Sequence, residues 1–217
     1  MRITDLAKVR ALLTVTAGED EEQILKLAAD SGALLSGHFR LQAGHHAPYF
    51  LRFGQLAYRD EASSVLARAF ATRGFATAAA DLVVVGAETS ARYLAIALSK
   101  LLGASVALAE VDSLRRPKDT LKTGTVVGAQ HVIVATDVLT TGASIRPLVE
   151  LARKAVGAER TTLLAFASQG STRPKDVIAS LGVTGHVLTS ATWTSFLETD
   201  CQLCREGKEL LPAFEFN

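Results

Sequence analysis

His131-Val-Ile-Val-Ala-Thr-Asp-Val-Leu-Thr-Thr-Gly-Ala-Ser-Ile145 is the segment on which the reading of this chain turns. An apolar, β-branched run at 132–135 ends in Thr136 and Asp137. Thr140, Thr141, Gly142, Ala143 and Ser144 then open a stretch of helical period. Backbone N–H groups, hydroxyls, a glycine and the positive end of a helix thus converge at a strand's carboxyl end, which is the chemistry of a phosphate cradle. Open α/β sheets take their ligands at that edge. Asp137, in front of the cradle, suits ribose hydroxyls or part of a metal's shell. A Thr-rich turn with an ordinary helix cap uses the same residues, but the acid directly after a buried strand weighs against it.

Three more short apolar runs without alternation, 82–85, 105–109 and 161–166, read as buried parallel strands. Helical patterns lie around them at 60–73, at 90–102 before Gly103, and at 144–156, with Ser144 as N-cap candidate and Gly157 after it. Strand alternating with helix predicts an α/β fold with an open, doubly wound parallel sheet. The first 35 or so residues read as helix, with an apolar stripe of Ile24, Leu25, Leu27 and Ala28 stopping at Gly32. Residues 37–53 alternate as two short strands around a Gly/Pro turn, and the pattern is lost from Ala191 onward. These two ends predict a small hood, about 1–58 and 190–217, on a core of about 59–189, in a single domain of 217 residues.

Composition bounds the function. The chain is 48% apolar and 21% charged, which excludes a disordered or fibrous protein. The net charge of +1, from 23 Lys+Arg and 22 Asp+Glu, gives no bulk case for nucleic acid. No apolar run reaches the ~18 residues of a membrane span, and the charged start predicts no targeting segment. Two cysteines, Cys201 and Cys204, are too few for a disulfide framework, so a cytoplasmic protein is expected. Neither Gly-x-Gly-x-x-Gly nor Gly-x4-Gly-Lys-Ser/Thr is present, which leaves little for a generic nucleotide-binding enzyme.

Asp137-Val-Leu-Thr-Thr-Gly-Ala-Ser144 resembles the 5-phosphoribosyl-1-diphosphate (PRPP) motif of type I phosphoribosyltransferases. Gly37-His-Phe-Arg-Leu-Gln-Ala-Gly-His-His-Ala-Pro-Tyr-Phe50 resembles a segment of orotate phosphoribosyltransferases. Cys201-Gln-Leu-Cys-Arg-Glu-Gly207 resembles the ending of a short, thermophile-type branch of that family. The resemblance covers residues 31–210 or so. It implies Mg²⁺-dependent transfer of the 5-phosphoribosyl group to a nitrogen of orotate or a similar pyrimidine, with release of pyrophosphate. It implies Asp137 on the ribose, residues 140–144 on the 5-phosphate, and Mg²⁺ held through substrate with Asp137 as the one candidate protein ligand. Ala87, Glu88 and Thr89, with Arg115 and Lys122, fall to the pyrophosphate; Gln42, Tyr49 and Phe50 fall to the acceptor. The basic segment Asp112-Ser-Leu-Arg-Arg-Pro-Lys-Asp-Thr-Leu-Lys-Thr-Gly124 implies a mobile catalytic loop, with Arg116 and Lys118 as its leading cations, shared across a homodimer. On its own, a charge run is more often a solvated loop.

Four departures bear on substrate. Thr136 stands where the family has a first acid; Gln42 replaces an orotate-contacting cation. Ala167-Ser168-Gln169 replaces an Asp-Arg pair; Gly86-Ala-Glu-Thr-Ser90 replaces paired glycines. A buried orotate carboxylate needs charge-assisted donors. The departures therefore keep two other readings open: transfer to a different base, and a non-catalytic PRPP- or nucleotide-binding regulator. His38, His45 and His46 lack a ligand partner at metal-site spacing and read as turn and hood residues. Cys201 and Cys204 make half a tetrahedral site and read as unligated thiols; Trp193, Phe214 and Phe216 read as hood or dimer packing.

Overall fold

The computed structural model describes residues 1–41, 44–72, 82–87, 89–113, 116–170 and 173–213. Its elements run β1 (Arg2–Ile3), α1 (Leu6–Leu12), β2 (Leu13–Val15), α2 (Glu21–Ser31), β3 (Leu34–Arg40), β4 (His46–Leu51), α3 (Phe53–Ala57) and α4 (Asp60–Ala71). They continue β5 (Leu82–Ala87), α5 (Ala91–Leu102), β6 (Ser105–Val111), β7 (Pro117–Thr123), β8 (His131–Leu139), α6 (Arg146–Val156) and β9 (Thr161–Ser168). The chain ends with α7 (Pro174–Ser180), β10 (Thr184–Ala191), α8 (Gln202–Arg205) and β11 (Leu211–Pro212).

Among the described residues the large sheet has seven strands in the order β2-β10-β9-β8-β5-β6-β7. β10, β9, β8, β5 and β6 are parallel neighbours, so the four predicted strands lie side by side. β9 is buried at every position, which is why its sequence does not alternate. Leu94, Ala95 and Leu98 of α5 pack in the core cluster on one face; Leu148, Val149 and Ala152 of α6 pack in the cluster on the other. Gly32 (φ 60°) and Gly103 (φ 63°) end α2 and α5 in the left-handed region, as their positions predicted.

Other readings needed correction. The N-terminal stretch is not continuous helix: β1 joins the small sheet, and β2 pairs with β10 at the edge of the large one. β10 continues the parallel sheet, although its Thr-Gly-His start hides it. Ser144 does not cap α6; Ile145 is the N-cap, and the donor-less Pro147 sits in the first turn. The basic segment is not a free loop. Residues 117–123 form β7, antiparallel to β6, with the charges and the leading proline typical of an edge strand.

The smaller sheet is built on β3, with β4 along one edge and β1 and β11 along the other. The two ends of the chain thus join one sheet, with Leu211 paired to Phe39 and Arg2 to Leu35. No helix among the described residues is long and apolar enough to cross a membrane.

Candidate active site

β5 and β8 are adjacent and parallel, yet their connections leave in opposite directions. The chain passes from β5 through α5 to β6 on one side, and from β8 through α6 to β9 on the other. A crevice opens at such a switch point, at the carboxyl ends of the strands. Asp137 lies there. Its Oδ2 accepts a hydrogen bond from Ser90 Oγ at 2.6 Å, and its Oδ1 accepts from Val138 N–H at 2.7 Å and Thr136 Oγ at 3.4 Å. Ser90 spends its hydroxyl on this carboxylate and does not cap α5.

Alternation along β8 explains Thr136. Ala135 and Ile133 belong to the α5-side core, and Asp137 shares their face with Ser90. Thr136 points to the α6 side and is buried at 7% exposure. Only Asp137 therefore faces the crevice as an acid from this strand.

The turn after β8 has the composition of an anion cradle and also its backbone. Thr141, Ala143 and Ser144 are exposed. Among the described residues the N–H groups of Thr141, Gly142 and Ser144 have no acceptor, while Ala143 N–H reaches Thr141 Oγ at 3.4 Å. Gly142 does a different job from the one its motif suggests. Its φ is +79°, and a Cβ there would meet Val177 Cγ1 at 3.0 Å and Leu181 Cδ1 at 3.3 Å. The side-chain direction is into α7 and its C-cap, not into the cradle. Gly142→Val is therefore expected to lower thermal stability and to lose anion binding by distorting the turn. The smaller Gly142→Ala should show the same order of effects, in melting scans and phosphate calorimetry, at reduced size.

The remaining site residues divide. Ala87 and Thr89 flank the same crevice from β5 and its turn. Arg116 and Lys118 stand at the β6–β7 end of that edge, each already paired: Arg116 Nε to Asp112 Oδ2 at 2.7 Å, Lys118 Nζ to Glu110 Oε2 at 3.3 Å. Both pairs are exposed, so exchange onto an incoming anion costs little. Lys122 lies four residues further down β7, about 14 Å from Lys118 at strand rise, and so is carried away from the crevice. Tyr49 and Phe50 are consecutive on β4 and point to opposite faces. Tyr49 meets the Trp193 ring edge-on at 5.6 Å, whereas Phe50 packs on Phe39 at 5.7 Å in a separate cluster with Leu35 and Leu211. Phe50 is thus a packing residue, and only Tyr49 is left for an acceptor. Gln42, Glu88 and Arg115, like Phe214 and Phe216, lie outside the described residues.

Two groups were given other roles in the sequence, Gln169 as part of a lost cation pair and Trp193 as hood or dimer packing. Gln169, after β9, is buried at 8% exposure, and its side-chain Nε2 has no partner among the described residues; its own N–H is held by Leu139 O of β8. Trp193, after β10, is buried within the chain with its indole N–H likewise unpartnered. Each follows the carboxyl end of a strand, and each is a buried donor open to an outside acceptor. Arg52 is the third feature of this flank. It precedes α3, where a Cβ on Gly54 would lie 3.5 Å from Ser90 Cβ, and Ser90 holds Asp137.

Away from the crevice, His38 and His46 of the small sheet meet Cys201 and Cys204 of the tail. Burial, then His38, holds His46 below the ordinary histidine range; burial, then Cys201, pushes the Cys204 thiol up.

No family model matches the chain. It is 30% identical over 188 residues to orotate phosphoribosyltransferase of Thermus thermophilus, covering 86% of this chain and 97% of that protein. It is 29% identical over 188 residues to the enzyme of that name from Pelotomaculum thermopropionicum, covering 86% and 93%. Among solved structures, orotate phosphoribosyltransferase from Aeropyrum pernix superposes with a TM-score of 0.60 at 23% identity, covering 84% of this chain and 97% of that one. The Mycobacterium tuberculosis enzyme in complex with inorganic phosphate gives 0.59 at 19% identity, covering 79% and 95%. The structural likenesses establish the fold, and the sequence match spans 86% of the chain. By that sequence relationship the chain belongs to the orotate phosphoribosyltransferase family and is a phosphoribosyltransferase of the type I fold.

Proposed function

We propose that this enzyme transfers the 5-phosphoribosyl group of PRPP to a ring nitrogen of orotate or an orotate-like pyrimidine, releasing pyrophosphate. The observation that carries the reading is Asp137, fixed by Ser90 at 2.6 Å beside a turn whose Thr141, Gly142 and Ser144 N–H groups have no acceptor among the described residues. The N–H groups of residues 141–144 donate to the 5-phosphate, and Asp137 accepts from the ribose hydroxyls. This holds the anomeric carbon between the acceptor and the leaving group. As the glycosidic C–O bond breaks, positive charge grows on the ring and negative charge on pyrophosphate. Lys118 and Arg116 answer the second charge by leaving Glu110 and Asp112 for the phosphate oxygens.

Mg²⁺ fits the donor set. An open edge with one carboxylate and several hydroxyls suits a hard cation that keeps most of its oxygen ligands from water and substrate. Asp137 is the group to approach it, and when bound it neutralises charge on the pyrophosphate. The cytoplasm, where both substrates are soluble metabolites, is the compartment this activity requires.

The homodimer reading has a surface to support it. A groove of about 720 Å³ between α4 and α5 is lined by Tyr58, Tyr93, Ile96, Ala97 and Leu101, with Tyr58 73% and Leu101 50% exposed. In the homodimer we propose, a second copy covers this face and the β6–β7 hairpin is the element that serves the neighbouring crevice.

The acceptor pocket is where the departures matter. We assign Gln169 Nε2 to a carbonyl oxygen of the base and Arg52 to its acidic group, in place of the cations missing at 42 and 168–169. Gln169→Leu should raise the acceptor's KM about tenfold, since one buried hydrogen bond is lost, and should leave PRPP binding alone. Steady-state kinetics at saturating PRPP reads this. An unchanged acceptor KM would remove Gln169 from the pocket. A base without an acidic group being preferred over orotate would favour the different-base reading.

A further inference from the structure

We propose that His38, His46, Cys201 and Cys204 form a structural Zn²⁺ site that clamps the C-terminal tail onto the β3–β4 hairpin. The four ligand atoms all lie within 4.8 Å of one another. His38 Nε2 is 3.1 Å from His46 Nδ1, 3.4 Å from Cys201 Sγ and 3.6 Å from Cys204 Sγ; His46 Nδ1 is 3.1 Å from Cys204 Sγ. With Zn–N of about 2.0–2.1 Å and Zn–S of about 2.3 Å, a tetrahedron has N···N edges of about 3.3 Å and N···S edges of about 3.5 Å. These four separations lie within about 0.4 Å of those edges.

Hydrogen bonding alone does not account for the arrangement. His38 Nδ1 lies 3.0 Å from Lys208 O, so it carries the proton and donates to that carbonyl. Nε2 is then a bare lone pair, and a single lone pair has His46 Nδ1, Cys201 Sγ and Cys204 Sγ all crowded around it. A cation at the centre gives each of the four groups its own bond. The Lys208 carbonyl is the outer partner that commonly fixes a ligating imidazole's tautomer.

Burial and charge agree. His38 is 3%, His46 1% and Cys201 1% exposed. Binding releases one proton from each thiol to solvent, and His46 carries its proton on Nε2. Two thiolates then balance the charge of Zn²⁺, leaving a neutral buried centre. Mixed sulfur and imidazole ligands in a tetrahedron select zinc over magnesium or calcium. With all four positions filled by protein, the site has no place for substrate and is structural. Its ligands come from β3, β4, the N-cap of α8 and α8 itself, the elements beside which β11 pairs with β3.

Elemental analysis of the full-length protein purified without added chelator should find one zinc per chain. Replacement by Co²⁺ should give the strong visible absorption of tetrahedral thiolate-bound cobalt, lost in Cys204→Ser. Stripping with a chelator should lower the melting temperature by about 10 °C, and Zn²⁺, not Mg²⁺, should restore it. Cobalt absorption and zinc content read the intact chain and do not depend on the variant folding. Protein purified under reducing conditions that holds no zinc, takes up no cobalt and melts unchanged with chelator would overturn the proposal. So would a Cys201–Cys204 disulfide surviving in the native enzyme.

Discussion

Asp137→Asn should reduce turnover by two to three orders of magnitude, the loss typical of removing one group that stabilises a developing charge. The amide keeps the size of the carboxylate and can still meet Ser90, whose hydroxyl lies 2.6 Å from Oδ2. What it loses is the negative charge beside the ribose, where the transition state is cationic. A second acid on β8 would soften the effect, but position 136 is a buried threonine turned to the other face. The fold should be untouched, so melting curves of the variant and parent should coincide. PRPP binding measured by calorimetry should weaken less than kcat falls, because the interaction strengthens as charge develops. Turnover within a factor of a few of the parent would mean that Asp137 does not face the reacting ribose.

Lys118→Ala should lower kcat about 100-fold with a smaller change in PRPP affinity. In the free enzyme Lys118 is paired with Glu110 at 3.3 Å, both about half exposed, so losing that pair alone should barely affect stability. The catalytic effect is the larger one because the cation meets a charge that appears only as pyrophosphate leaves. The proposed dimer adds a sharper readout. Mixing Lys118→Ala subunits with Asp137→Ala subunits should restore part of the activity, since a mixed dimer has one crevice with an intact Asp137 and an intact hairpin from its neighbour. Verified mixed dimers without recovery would place the hairpin on its own chain's crevice. An unchanged kcat in Lys118→Ala would make β7 a solvated edge strand and favour the regulatory reading.

The parallel core was legible where a strand is buried on both faces. β9 is buried at every position and β8 from Val132 to Thr136, which forces the unbroken apolar runs at 132–135 and 161–166; the runs at 82–85 and 105–109 read the same way, while β6 is buried only at Ala107 and Ala109. The strands missed are those that escape this constraint. β7 is an exposed, charged edge, β2 is three residues between helices, and β10 carries Gly185 and His186 where its partners, Leu163 and Leu164, are apolar. The Thr-Thr-Gly turn after β8, where we propose the phosphate sits, was legible because its chemistry depends on local backbone and hydroxyls. The acceptor side we propose was not, because its residues are distant in sequence: Tyr49 meets Trp193 only through the fold, and Gln169 follows a different strand. The histidine–cysteine cluster shows the same limit. Each half lacked ligands by local spacing, and the other half was 163 residues away. Consecutive residues on one strand carry the opposite lesson: Tyr49 and Phe50 were grouped by adjacency, and alternation separates them.

The most direct measurement is the product formed when the purified enzyme is given PRPP, Mg²⁺ and orotate. The account predicts pyrophosphate and a pyrimidine nucleoside 5′-monophosphate in equal amounts, each abolished by omitting either substrate. PRPP bound with no pyrophosphate released, with orotate or any base in a panel of pyrimidines and purines, would contradict it.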